Sequence, residues 1–385
     1  MHRQWKKLGS AGLAAICLLF YSAGCSGSQG MESRSDSSLE QPPAVSDVPQ
    51  QSFAVPQFSS SSSGEHSVQS SQASAQPQSQ VEASVPEESI AGEPAAEDSS
   101  SAAALQPQEQ NGLRGARTNV LVPYAAGTEV YGNSSVSIDV SNSSEGYVMI
   151  QYSGSNPKVK VQITKDGGST YTYNLNSSGY YEAFPFSGGS GGYTINVFEN
   201  ISGTSYAQAA GQYVTVSLRS SVLPFLYANQ YVNFWSGCYT IELGAQLAST
   251  ANNDLQVVEN IYNYVTKNIS YDYNKASSVT SGYLPNVDST VNSGRGICFD
   301  YAAVMATMLR TQGIPTKLVV GYAGSVYHAW ISTYISDIGW VNGIIYFDGQ
   351  SWVRMDPTFA ASGGGSSDIM SFIGDGTNYN AMYVY

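Results

Sequence analysis

The sequence reads Gly294-Arg295-Gly296-Ile297-Cys298-Phe299-Asp300-Tyr301-Ala302 at the point where a glycine-rich turn runs into a helix. The helix is predicted from apolar residues spaced three and four apart, from Tyr301 to Leu309, and Gly313 and Pro315 predict its end. Cys298 then lies in the first turn, where unpaired backbone N–H groups and the positive end of the helix dipole favour a thiolate. The stretch therefore predicts a nucleophilic cysteine at a helix N-terminus.

A thiolate nucleophile needs an imidazole to exchange protons with and a third group to orient the imidazole ring. His328 lies in the alternating stretch 326–331, which predicts a strand, and Asp356 follows another short strand. The chain has three histidines, and the other two, His2 and His66, precede the predicted folded part. His328 is therefore the imidazole available to Cys298. A single histidine also argues against a zinc site, and no calcium-loop motif occurs, so no metal or cofactor is predicted.

Five blocks in this order resemble the bacterial transglutaminase-like superfamily. They are G-x-C-x-D-Y-A at 296–302, Gln312-Gly313-Ile314-Pro315, Val320-Gly321-Tyr322, His328-Ala329-Trp330 and Asp356-Pro357-Thr358. The resemblance covers roughly residues 245–360 and implies a papain-like triad of Cys298, His328 and Asp356. Asp348 is a competitor for the third role, but Asp348-Gly349 is more typical of a hairpin turn.

Acyl transfer also needs hydrogen-bond donors for the oxyanion that develops in the transition state. The backbone N–H of Cys298 is one predicted donor. The second is predicted to be a hydroxyl from Tyr271 or Tyr273, in a block just upstream of the helix, and the sequence leaves the choice between them open. Asp300 is interpreted as a first-turn residue that the helix dipole favours, with no chemical role.

The first 25 residues resemble a bacterial lipoprotein leader. Arg3, Lys6 and Lys7 precede a short apolar segment, and Ser22-Ala23-Gly24-Cys25 places small residues before a cysteine. We therefore expect lipidation at Cys25 and a membrane-anchored protein that faces the outside of the cell. The alternative is an ordinary signal peptide in which Cys25 is incidental.

Residues 26–116 are predicted to be a disordered tether. Residues 26–112 are rich in Ser, Gln, Pro, Ala and Glu and hold 12 acidic residues against Arg34, so most of the net charge of -13 belongs to this segment. Lys and Arg are sparse in the remainder, and no basic run alternates with aromatic residues. This pattern argues against a nucleic-acid partner.

Two folded domains are predicted after the tether. In residues 117–220 six short stretches alternate between apolar and polar residues, which suggests an immunoglobulin-like β-sandwich that serves as a spacer or docking module. In residues 221–385 a helix after Asn253, the Cys298 helix and four strands from Thr316 onward indicate an α+β papain-like fold. A polar loop is predicted over 275–293, and 363–385 is left open as a lid or a closing strand.

The resemblance implies a cysteine enzyme that forms a thioester with a carboxamide or peptide carbonyl. Peptidase, amidase and cross-linking activities all remain open, although water is the more available acceptor. The expected location suggests cell-wall peptides or secreted proteins as substrates. The alternative is a non-catalytic binding or scaffold protein with a vestigial triad.

Cys238 could also form a disulfide with Cys298 and block it, but a buried free thiol is the simpler interpretation.

Overall fold

The structure is a computed structural model in which residues 113–336, 339–342, 344–347, 352–355, 358 and 378–385 are described. Cys25, most of the predicted tether and Asp356 lie outside these residues. In the part of the chain that is described, no helix has both the length and the apolar character needed to cross a bilayer.

Antiparallel strands build the first part of the described chain, up to residue 216. In chain order they are β1 Val130–Gly132, β2 Val136–Asp139, β3 Tyr147–Tyr152, β4 Val159–Lys165, β5 Thr170–Leu175, β6 Glu182–Pro185, β7 Gly191–Ser202 and β8 Ser205–Val216. They form two sheets, with strand orders β1-β2-β3-β6 and β5-β4-β7-β8. The inward-facing side chains of both sheets, such as Ile138, Ile150, Val161 and Ile195, belong to one buried core.

Local sequence explains the turn between β4 and β5. Lys165-Asp166-Gly167-Gly168 predicts a hairpin, and β4 and β5 pair as antiparallel neighbours there. Gly167 has a φ of 66°, and the N–H of Gly168 donates to the carbonyl of Lys165 at 2.9 Å. Only glycine adopts such a φ without a steric cost, so this residue fixes the hairpin. An immunoglobulin-like topology for these sheets remains a prediction.

The second part of the chain combines helices with a four-stranded sheet. The helices are α1 Tyr239–Ala248, α2 Asp254–Asn268, α3 Tyr273–Ser278, α4 Val287–Ser293 and α5 Cys298–Thr311. The strands are β9 Ser270–Tyr271, β10 Arg295–Gly296, β11 Thr316–Ala323, β12 Val326–Ile335, β13 Gly339–Asn342, β14 Ile344–Phe347, β15 Trp352–Met355 and β16 Tyr379–Val384. The larger sheet has the order β13-β12-β11-β16, while β14 pairs with β15 and β9 with β10.

Helix α5 is the buried centre of this part, since every one of its residues is buried. It packs against α1, α2, β11 and β12. A Cβ at Gly244 of α1 would lie 3.1 Å from the side chain of Met308 on α5, so glycine allows these two helices to approach closely. Because all its faces are covered, α5 has apolar residues on every side, and its buried Arg310 donates hydrogen bonds to the backbone carbonyls of Thr316, Tyr227 and Tyr385.

Strand β16 closes one edge of the sheet. Its residues pair antiparallel with β11, with a bulge between Val320 and Gly321. A Cβ at Gly321 would lie 2.0 Å from the carbonyl oxygen of Asn380, so a larger residue there would break the pairing. Of the two interpretations that the sequence left open, the described residues of this segment form a closing strand.

A cluster of tyrosines joins the β-rich part to the helical part. Tyr171 on β5 has ring centroids 5.5 Å from Tyr383 and 5.7 Å from Tyr385, and its hydroxyl accepts the N–H of Val384. Tyr173 on the same strand contacts Tyr231 and Tyr385. Both parts of the chain belong to one compact unit.

A second link is made by residues 113–121, which we call the strap. The buried guanidinium of Arg114 donates to the carboxylate of Asp254 and to the carbonyl of Gln312. The N–H of Asn119 donates to the carbonyl of Thr311 at 2.9 Å, at the end of α5. Residues 113–116, which sequence analysis assigned to the tether, therefore lie against the helical part.

Candidate active site

Cys298 is the first residue of α5 and is only 1% exposed. The N-cap residue of the helix, Ile297, has an apolar side chain that cannot accept a hydrogen bond from the first N–H groups of the helix. The helix start is instead stabilised by the carboxylate of Asp300, in the first turn. This carboxylate accepts the N–H of Ile297 at 2.9 Å. A Cβ at Gly296 would lie 2.8 Å from the Cβ of Asp300, which explains the glycine in the motif. The helix start is therefore fixed by Asp300 and Gly296 around the sulfur.

Tyr271 lies beside this helix start because β9 and β10 form a short parallel pair. Tyr271 is opposite Gly296 in the register, and the N–H of Asp272 donates to the carbonyl of Gly296 at 2.9 Å. The pKa of the Tyr271 hydroxyl is raised, first by burial and then by the charge that Cys298 can carry. The pairing with β10 therefore places the backbone of Tyr271 beside Gly296, two residues before Cys298.

Tyr273, the other candidate donor, is placed differently. Its side chain is 53% exposed, and its ring centroid lies 4.9 Å from that of Tyr271. The structure therefore buries Tyr271 on a strand paired with the residues before Cys298 and leaves Tyr273 exposed, while the choice of the oxyanion donor remains a prediction.

His328 lies on β12, the strand against which α5 packs, and is fully buried. Its ring centroid is 6.2 Å from that of Trp330 and 6.4 Å from that of Tyr379. The neighbouring residue on β12 is Tyr327. Its pKa is raised to about 12, mainly by burial, then by Tyr383 and Tyr322, and finally by Cys298.

Strand alternation puts Tyr327 and Ala329 on the face of β12 that joins the core with α5, and His328 with Trp330 on the other. The described structure thus brings the helix of Cys298 against the strand of His328. The pairing of the two side chains remains a prediction from the sequence, and the alternation of β12, which turns His328 away from α5, does not support it. Asp356 lies outside the described residues, directly after β15.

Asp300 has partners that sequence analysis did not anticipate. Its carboxylate is 0% exposed, and it accepts hydrogen bonds from Lys275 Nζ at 2.6 Å and from the hydroxyl of Tyr283. Both donors lie in 275–293, for which a polar loop was predicted. That prediction holds only for 279–286, because α3 runs to Ser278 and α4 occupies Val287–Ser293. Aspartate three residues after an N-cap signals a helix cap, but no local pattern indicates donors this far away in sequence.

Cys238 and Cys298 are both free thiols in the structure. The thiol of Cys238 donates to the carboxylate of Asp288 at 2.9 Å. Burial, together with this bond, raises the pKa of the Cys238 thiol to about 11. The disulfide that the sequence left open is not formed here, and Cys238 is a buried, protonated thiol. Among the described residues, no three His, Cys, Asp or Glu side chains are close enough to bind a metal ion.

Comparison with known proteins identifies the class of this domain. Residues 241–357 match the sequence model of the transglutaminase-like superfamily. The match runs from α1 to just beyond β15 and so contains Cys298, His328 and Asp356. Residues 241–357 therefore form a transglutaminase-like domain. A search of curated proteins found no significant match.

Solved structures with a detectable likeness are distant. A candidate cysteine protease from Cytophaga hutchinsonii is 17% identical, with 60% of this chain and 69% of the other aligned and a TM-score of 0.27. A candidate protease from Parabacteroides distasonis is 15% identical, with 49% and 38% aligned and a TM-score of 0.25. Red sea bream transglutaminase is 12% identical, with 59% and 53% aligned and a TM-score of 0.26.

Proposed function

We propose that this protein is a cysteine enzyme that transfers acyl groups from peptide or carboxamide substrates through a thioester on Cys298. The observation that carries the proposal is the position of Cys298. It is the first residue of a buried helix inside the segment that matches the transglutaminase-like superfamily. At that position its backbone N–H has no acceptor within the helix, and the helix dipole favours negative charge on the sulfur.

In the proposed reaction His328 takes the thiol proton and the thiolate attacks the carbonyl carbon. The oxyanion accepts hydrogen bonds from the N–H of Cys298 and from the hydroxyl of Tyr271, a proposal supported by the pairing of β9 with Gly296, two residues before Cys298. Collapse of this intermediate expels ammonia or an amine, which receives its proton from His328, and leaves a thioester. Asp356 is proposed to orient the imidazole. Water then attacks the thioester, releasing a carboxylic acid and regenerating the thiol.

Water is the proposed acceptor because it needs no dedicated binding site, which makes the protein a peptidase or amidase rather than a cross-linker.

Peptides of the cell wall or secreted proteins are the proposed substrates. They follow from the proposed location, since lipidation at Cys25 would hold the enzyme at the outer surface of the membrane. A Cys25→Ala variant is expected to move from the membrane fraction to the soluble fraction, and unchanged membrane association would contradict the lipid anchor.

The function is tested with a soluble chain of residues 113–385. Iodoacetamide should alkylate wild-type Cys298 with a midpoint pH below the value of about 8.5 that is usual for a free thiol. His328→Ala should raise that midpoint and slow hydrolysis of a peptide-amide library by about 10²-fold or more. Hydroxylamine should capture the acyl group of the thioester in the wild type and not in Cys298→Ala.

Control variants distinguish the loss of an active-site group from a general loss of folding. Cys238→Ala should keep the activity, because Cys238 lies outside the proposed machinery. Tyr271→Phe should slow turnover by about 10²-fold, and Tyr273→Phe, its matched control, should slow it little. A sluggish Cys298 whose alkylation ignores His328→Ala would refute the enzyme and favour a binding protein with a vestigial triad.

A further inference from the structure

At the start of α5 a buried carboxylate is paired with a partly exposed ammonium group from α3, and the proposed chemistry uses neither. Asp300 is fully buried at the third position of the helix, and its only cationic partner among the described residues is Lys275, whose Nζ lies 2.6 Å away. The Lys275 side chain is 29% exposed and lies over the ring of Tyr283, 4.5 Å from its centroid. Tyr283 in turn donates to Asp300, so the three side chains form one cluster.

The negative charge of Asp300 has two opposite effects at the start of α5. A carboxylate in the first turn stabilises the helix because it accepts the N–H of Ile297 and complements the dipole. The same negative charge, two residues after Cys298, opposes formation of a thiolate. A cationic partner for the carboxylate removes the second effect and keeps the first. Lys275 is placed to do this.

The other groups near the helix start do not supply that charge. They are Tyr271 and Tyr273 from β9 and α3, Tyr301 on α5, Tyr283 in the loop, Tyr327 and His328 on β12, and the more exposed pair Asp272 and Arg295, 3.5 Å apart. Burial raises the pKa values of Tyr271, Tyr283 and Tyr301, so these phenols stay neutral at physiological pH. The charged groups that remain at the helix start are the carboxylate of Asp300 with the ammonium group of Lys275, and the more exposed Asp272 with Arg295.

We propose that Lys275 is a positioning residue that balances the charge of Asp300, so that the carboxylate can hold the helix start without suppressing the Cys298 thiolate. The proposal rests on the proposed role of Cys298 as the nucleophile. In this proposal α3 has a function, because this short helix after Tyr271 carries the ammonium group of Lys275. It predicts that the two members of the pair act on the sulfur with opposite signs.

The test is the pH profile of Cys298 alkylation in residues 113–385. Lys275→Met leaves the carboxylate uncompensated and should raise the midpoint by about one pH unit, while Asp300→Asn leaves the ammonium group and should lower it by a similar amount. The double variant should return close to the wild-type midpoint. Lys275→Arg keeps the charge and should behave like the wild type. Arg295→Met, which removes an exposed cation from the Asp272 pair, is the matched control and should shift the midpoint little.

A merely structural role would move both single variants in the same direction, and that result would overturn the proposal, as would the absence of any shift. Thermal unfolding of each variant shows whether it folds. If Asp300→Asn does not fold, the comparison of Lys275→Met with Lys275→Arg decides the question. If wild-type Cys298 titrates like a free thiol and turns nothing over, the proposed function fails separately, because the signs of the two shifts can still be read.

Discussion

At the scale of single residues, Asp288 shows how one carboxylate can replace a missing helix cap. The residue at the N-cap of α1 is Cys238, which offers no strong acceptor. Asp288, at the start of α4, accepts the N–H groups of Tyr239 and Thr240, the hydroxyl of Thr240 and the thiol of Cys238. The first turn of α1 is thus capped from another helix.

The protonation of Asp288 should affect stability. Burial favours the neutral acid, but the four hydrogen bonds outweigh it and hold the pKa of Asp288 below its usual value. Its contribution is therefore complete above the unfolded-state pKa of about 3.9 and is lost as the pH falls through the folded-state value. We expect Asp288→Asn to lower the free energy of unfolding by about 1–2 kcal/mol at pH 7 and by less near pH 3.

Urea unfolding of both proteins at the two pH values measures this difference. Glu242→Gln is the matched control, because Glu242 is an exposed carboxylate in the same turn of α1. It should change the stability little at either pH. A cost of Asp288→Asn that persisted unchanged at pH 3 would contradict the argument.

At the scale of elements, the sequence predicts those helices and strands whose signals are local. Asn253 is predicted to begin α2, and its side chain accepts the N–H of Gln256 as an N-cap should. The end of α5 at Thr311 agrees with Gly313 and Pro315. Strand β11 begins at Thr316 as predicted, and β12 begins with the alternating stretch 326–331 and continues to Ile335.

Short elements escaped prediction because packing, rather than periodicity, stabilises them. Helices α3 and α4 have six and seven residues, too few to show an amphipathic pattern. Both have side-chain caps, from Asp272 and Asn286, and an isolated helix of this length is unstable in water. The partners of Asp300 could not be predicted for the same reason, since they lie on and beside these elements. The sequence identified the cysteine and its helix but not the charge that faces it.

At the scale of the whole molecule, the β-rich part is built into the helical part rather than merely tethered to it. Tyr171 and Tyr173 reach from β5 into the ring cluster with Tyr231 and Tyr385, and Tyr231 also contacts Phe299, the neighbour of Cys298. Gln230 donates to the carbonyl of Asn174 on the same strand. Strand β5 is therefore connected through Tyr231 to Phe299, the residue after Cys298.

Tyr171→Ala should test whether the two parts unfold together. It removes the ring contacts with Tyr383 and Tyr385 and the hydrogen bond to Val384, and we expect a loss of about 2 kcal/mol with one cooperative transition. Calorimetry and urea unfolding monitor it. Tyr180→Ala is the matched control, since Tyr180 is 72% exposed, and it should change little. Equal stabilities of the two variants would show that the cluster does not couple the parts.

The strap has a mechanical consequence. Residues 113–121 are fastened at Ala251, Asp254, Thr311 and Gln312, near the C-terminal end of α5. Cys298 lies at the opposite end of that 14-residue helix, about 20 Å away at 1.5 Å per residue. A force that pulls on the N-terminal side of the chain is therefore borne by the strap and the far end of α5. Such a force therefore enters the helical part at the end of α5 that is opposite to Cys298.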